Sequence, residues 1–103
     1  MILTGKQKRF LRAQAHALKP VVHVGKEEVT PALVKEVKRQ LEAHELIKVK
    51  ALDADSRDVL FTSLCTELDA SLVQTVGKIA VLYKARLKDS KIILPRESKV
   101  LKS

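Results

Sequence analysis

Leu72-Val73-Gln74-Thr75-Val76-Gly77-Lys78-Ile79-Ala80-Val81-Leu82-Tyr83-Lys84 is the stretch on which the fold turns. Two runs rich in aliphatic and β-branched residues, 72–76 and 79–84, flank the two-residue link Gly77-Lys78. A two-residue link with glycine first fits a type II′ turn, whose twist matches that of paired antiparallel strands. The stretch is therefore expected to be a hairpin. Alternation along its second strand groups Tyr83 with Val81 and Ile79 on the buried side.

Working upstream, a helix starts near Asp55-Ser56 and buries Leu60, Phe61, Leu64 and Leu68, with Cys65 as a small core residue beside them. Before it, Ile47-Lys48-Val49-Lys50-Ala51-Leu52 alternates as a strand does, with Lys48 and Lys50 on the wet face. Thr30-Pro31 reads as N-cap and first residue of another helix, burying Leu33, Val34, Val37 and Leu41 and exposing Lys35, Lys38 and Arg39. Pro20-Val21-Val22-His23-Val24 is a short strand stopped by Gly25. Thr4 and Gln7 have the spacing of a capping box and open a helix over 5–18, which Pro20 ends. The order is α-β-α-β-α-β-β. Two β-α-β crossovers predict parallel pairings and the closing hairpin is antiparallel. The expected fold class is α/β, a four-stranded mixed sheet with helices packed on it.

Beyond residue 86 the periodicity fades. Ile92-Ile93-Leu94-Pro95 is too short for a helix, and its proline confines it to a sheet edge. The expected organisation is one domain over 1–86 and a basic tail over 87–103.

The 103 residues carry a net charge of +8, unevenly spread. Residues 1–26 hold six Lys or Arg and no acid, the middle of the chain is near neutral, and residues 86–103 hold six bases against two acids. Such asymmetry favours a polyanionic partner. With no Trp, one Tyr and two Phe, base stacking on aromatics is not the expected mode, and phosphate contact and shape should dominate. The lone cysteine excludes an internal disulfide and suits a reducing compartment. No apolar run reaches spanning length and the N-terminus lacks the order of a secretory signal. A cytoplasmic protein is expected.

Along the first helix, Phe10, Leu11, Gln14, Ala15 and Leu18 share one side, while Lys8, Arg9, Arg12 and His16 fall on the other and Lys19 continues it. A solvated helix face usually mixes signs. This one has no acid before Glu27, so Lys8, Arg9, Arg12 and Lys19, with Lys6 in the first turn, are candidate phosphate contacts. Gly25 and Lys26 precede a helix N-terminus, where free N–H groups favour anions, although Glu27 and Glu28 would serve that dipole equally well. Lys78 at the hairpin tip completes the candidate set.

Several blocks resemble the bacterial YhbY-like proteins, the stand-alone form of the CRM domain. They are the opening Thr4-Gly5-Lys6-Gln7-Lys8-Arg9-Phe10-Leu11-Arg12, then Leu18-Lys19-Pro20-Val21-Val22, Val24-Gly25-Lys26, Glu42 to Lys50, and the closing hairpin. The resemblance spans about residues 2–86. It implies a fold like the C-terminal domain of bacterial translation initiation factor three, RNA binding, and association with large-subunit ribosomal RNA or its precursor particle. It also implies a GxxG loop after the first strand. Here Gly25 supplies the first glycine and Glu28 stands where the second belongs, restricting the backbone and adding a negative charge.

Competing classes are weaker. A KH-type nucleic-acid binder joins two helices with its GxxG, whereas Gly25 follows a strand. An RNA-modifying enzyme needs an acid–base or metal cluster, and His16, His23, His44 and Cys65 sit on separate elements without ligand spacing. A membrane-surface helix would want Trp or more Phe than helix one offers. The expectation is a monomeric RNA-binding protein with no catalytic residue, metal, cofactor, membrane partner or small-molecule substrate.

Overall fold

The computed structural model describes residues 3–24, 29–52, 57–85 and 92. Among them, helices α1 (Gly5–Ala15), α2 (Pro31–His44) and α3 (Arg57–Leu68) alternate with strands β1 (Pro20–His23), β2 (Leu46–Lys50), β3 (Ser71–Val76) and β4 (Ile79–Tyr83) in the expected order. The start expected for α3 at Asp55-Ser56 and the tail expected over 87–103 lie outside the described residues, Ile92 excepted. Gly77 takes φ 58° while Lys78 does not enter the positive region, as a type II′ turn requires.

The strands form one sheet in the order β1-β2-β4-β3. β1 pairs parallel with β2, and β4 pairs antiparallel with both β2 and β3. This corrects the expectation of two parallel pairings. The second crossover, β2-α3-β3, does run parallel, but β4 is inserted between its two strands. The reason lies in β4 itself: Ala80, Val81, Leu82 and Tyr83 are all buried, so this strand needs cover on both faces and neighbours on both sides. β3 carries Gln74 and Thr75 and tolerates the edge, where an irregularity between Leu72 and Gln74 interrupts its pairing.

Side chains alternate across the sheet into two cores. Toward α2 and α3 lie Val22, Ile47, Val49, Ala80 and Leu82, packed with Val37, Leu41, Leu60, Phe61, Leu64, Cys65 and Leu68. Toward α1 lie Leu46, Val73, Val81 and Tyr83, packed with Leu3, Leu11 and Ala15. Every residue assigned to the core of α3 is buried, and Leu33 and Val34 of α2 pack at the margin of their core.

α1 opens with both halves of the capping box: the Gln7 N–H donates to Thr4 Oγ1 at 3.1 Å and the Thr4 N–H to Gln7 Oε1 at 3.0 Å. It ends at Ala15 rather than 18, because Lys19 precedes a proline and is pushed toward extended backbone. Its buried stripe is Leu11 and Ala15, not the broader side expected from sequence. Leu18 is 38% exposed and Phe10 only half-buried.

Glu45 joins α2 to β2 at φ 65° and is completely buried. The Glu45 N–H donates to the Leu41 carbonyl at 2.8 Å and its own carbonyl accepts from the Lys84 N–H at 2.9 Å. Its Oε1 accepts from the Ile92 N–H at 3.3 Å, so Ile92 is held against the α1-side core. Sequence periodicity did not reveal this buried carboxylate. Tyr83 is raised in pKa by burial first and by the Glu45 charge second.

Leu11→Ala should cost on the order of 3 kcal/mol, as cavity-forming Leu→Ala changes do, whereas Leu18→Ala should cost less than about 1 kcal/mol. Urea unfolding of the two variants checks this, and equal losses would show that the buried stripe has been misplaced.

Candidate nucleic-acid interface

The i, i+4 spacing places Lys8, Arg12 and His16 in one line along α1. Lys8 and Arg12 are half-buried, flanking the Leu11–Ala15 stripe, and His16 is exposed. They are therefore not opposite the core, as the helical projection suggested, but on the flank that meets the sheet. Lys6 and Arg9 are exposed further round the helix.

The sheet supplies the other half of this surface. Strand register puts Lys48, Val81 and Gln74 in one row, and His23, Lys50, Ile79 and Val76 in the next. Because Val81 belongs to the α1-side core, both rows lie on the α1 face. α1 covers the first only in part and does not reach the second. Between them runs a groove of about 320 Å³ whose wall is Arg12, Ala15 and His16, and whose floor is Lys48, Gln74, Val76, Ile79 and Val81. Lys48 Nζ donates to the Leu18 carbonyl at 3.0 Å, fixing its ammonium beside the α1–β1 connection.

Of the residues proposed from sequence, Arg12 lines this groove and Lys8 continues its wall. Lys78 sits at the far end of the sheet, its carbonyl accepting from the Ala51 N–H at 2.7 Å, one residue beyond Lys50. Lys19 is not on α1 and is not part of this grouping; it lines a separate apolar groove with Gln14, Leu18, Val21, His44 and Ile92. Gly25, Lys26 and Glu28 lie outside the described residues. Val24, the last residue described before them, donates its N–H to the Lys50 carbonyl at 2.8 Å. Lys48, Lys50 and Gln74 were not among the candidates. Alternation had placed the two lysines on the wet face of their strand, but only the position of α1 shows that this face is shared with Arg12.

Charge is segregated between the two sides of the sheet. Among the described residues, the exposed or half-exposed acids Glu36, Glu42, Asp58, Glu67 and Asp69 all belong to α2, α3 or the residue just past it. The α1 side has none. The outer face of α2 mixes signs: Arg39 donates twice to Glu36, at 3.1 and 2.7 Å, which lowers the Glu36 pKa and raises that of Arg39. Such an exposed pair contributes little to stability. It leaves the α2 face close to neutral, while the exposed charges of the α1 face are, among the described residues, all cationic.

The CRS1/YhbY (CRM) domain model matches residues 3–84. This chain belongs to that family. Over 97 residues the chain is 45% identical to the "Probable RNA-binding protein YqeI" of Bacillus subtilis, covering 91% of this chain and all of the relative. It is 41% identical to a Haemophilus influenzae protein named "RNA-binding protein", over 92% of this chain and 97% of that one. The chain also superimposes on the solution structure of a Staphylococcus aureus protein described as a candidate RNA-binding protein, with a TM-score of 0.79, 36% identity, and coverage of 91% of this chain and 100% of that one.

Cys65 of the CRM domain faces the α2–α3 core, on the opposite side of the sheet from the groove. The cleft beside it is lined by Thr62, Thr66, Asp69, Ala70 and Leu72, with no histidine. Burial pushes its thiol up to about 11, the reverse of what an activated nucleophile needs. Iodoacetamide at pH 8 should therefore alkylate Cys65 at least tenfold more slowly in the native protein than in urea, because thiolate fraction and access both fall. Equal rates in a mass-spectrometric time course would contradict the buried assignment.

Proposed function

We propose that this chain is a non-catalytic RNA-binding module whose partner is large-subunit ribosomal RNA or its precursor particle, and that it assists assembly of that subunit. One observation carries the RNA part: the α1 side of the sheet gathers Arg12, Lys48 and Lys50 with Lys8 nearby, and no exposed acid lies on that side among the described residues. Cations so arranged bind a phosphate backbone by releasing its counterions. The names of the Bacillus and Haemophilus relatives point to the same ligand class. The ribosomal part rests on the resemblance of the sequence to YhbY-like proteins.

The protein acts by holding RNA, not by changing it. Its candidate contacts are donors and positive charges, suited to positioning a backbone rather than to moving protons or forming bonds. Among the described residues, no three of His, Cys, Asp and Glu are grouped to hold a metal, and no helix is long and apolar enough to cross a membrane. The working state proposed is a cytoplasmic monomer.

Two measurements test this. Affinity for structured RNA should fall linearly in log–log with salt, and replacing Arg12 and Lys50 together by Ala should flatten that slope by about two, one per lost phosphate contact. The corresponding change of Lys35 and Lys38 on α2 should leave the slope nearly unaltered; an equal effect would move the interface. In gradient-fractionated cell extract the protein should co-migrate with large-subunit precursors. Recovery confined to the free fraction would remove the ribosomal assignment and leave RNA binding standing.

A further inference from the structure

Cations alone do not account for the open half of the α1 face. Val76 is 61% exposed there, and Ile79, its partner across the hairpin, is half-buried beside it. Both lie with Lys48 in the floor of the groove that Arg12 and His16 wall. A purely duplex-binding surface meets sugar and phosphate and has no use for an aliphatic floor. Apolar surface at the bottom of a cationic cleft becomes favourable when a flat, weakly polar group is laid on it while its charges stay at the rim. An unpaired nucleotide has that shape: a base with two open faces, joined to a phosphate.

We infer that the groove between α1 and the β4–β3 hairpin takes an unpaired stretch of RNA, its bases on Val76 and Ile79 and its phosphates against Arg12, Lys48 and His16. The inference deepens the RNA-binding reading and rests on it. The groove volume of about 320 Å³ falls at the lower end of the roughly 300–1,000 Å³ typical of small-ligand clefts, enough for a base and not for a paired helix. Gln74 in the floor supplies one carbonyl acceptor and two N–H donors, which can meet any base edge without selecting one strictly. Among the described residues no Phe, Tyr or Trp lines the groove, since Tyr83 is buried beneath α1. Contact with the base is therefore aliphatic, and discrimination among bases is weak. The site distinguishes unpaired from paired RNA.

The test compares two RNAs of equal phosphate number, a fully paired hairpin and the same hairpin carrying an unpaired internal loop. The native chain should bind the looped RNA several-fold more tightly at one fixed salt concentration. Val76→Thr keeps the β-branched shape that suits a strand and exchanges a methyl group for a hydroxyl. It should weaken binding of the looped RNA by about fourfold, the worth of one buried methyl-sized group, with the paired RNA and the melting temperature unaffected. Equal affinity of the native chain for both RNAs, with Val76→Thr silent, would overturn the inference while leaving RNA binding intact. Failure to bind either RNA would remove the RNA reading beneath it, and the inference with it.

Discussion

A strand that is apolar on both faces governs this structure. Ala80, Val81, Leu82 and Tyr83 of β4 are each no more than 4% exposed, and successive side chains point to opposite sides of the sheet. Such a strand is stable only with a strand on either side and a helical layer above and below. β2 and β3 provide the flanks, α2 and α3 one layer, and α1 the other. The pairing of β4 with β2 and the split of the second crossover both follow from that requirement.

The two layers are unequal, and the interface arises from the inequality. A single helix is about 10–12 Å wide with its side chains, whereas strands of five or six residues run about 17–20 Å, so α1 cannot cover their whole length. α1 seals Leu46, Val73, Val81 and Tyr83 and leaves the row of His23, Lys50, Ile79 and Val76 in the open. A polar-faced sheet would tolerate this without consequence. Here the uncovered row joins lysines to aliphatic residues, and the covering helix brings Arg12 and His16 to its rim.

The described acids are kept away by the same layering. α2 and α3 hold the exposed ones, mixed on α2 with Lys35, Lys38 and Arg39, and Glu45 is taken inside, where its carboxylate holds the Ile92 N–H. Among the described residues the result is a molecule cationic on one side and near neutral on the other, able to orient a polyanion during approach as well as hold it afterward.

Local chemistry was legible in the sequence. Gly77 set the hairpin turn, Thr4 with Gln7 and Thr30 with Pro31 marked helix starts, and the spacing of Phe61, Leu64 and Leu68 marked a buried face. These signals act over a few residues, within reach of one turn or one hydrogen bond, so the order of elements could be read directly. Strand order and the side of the sheet taken by α1 depend on contacts between distant segments, and only the tertiary structure decided them. Lys48 and Lys50 showed in sequence as lysines on a wet face; packing α1 over half of that face made them neighbours of Arg12. Lys19 was moved the other way, because Pro20 ended the helix before its side chain could join the basic flank.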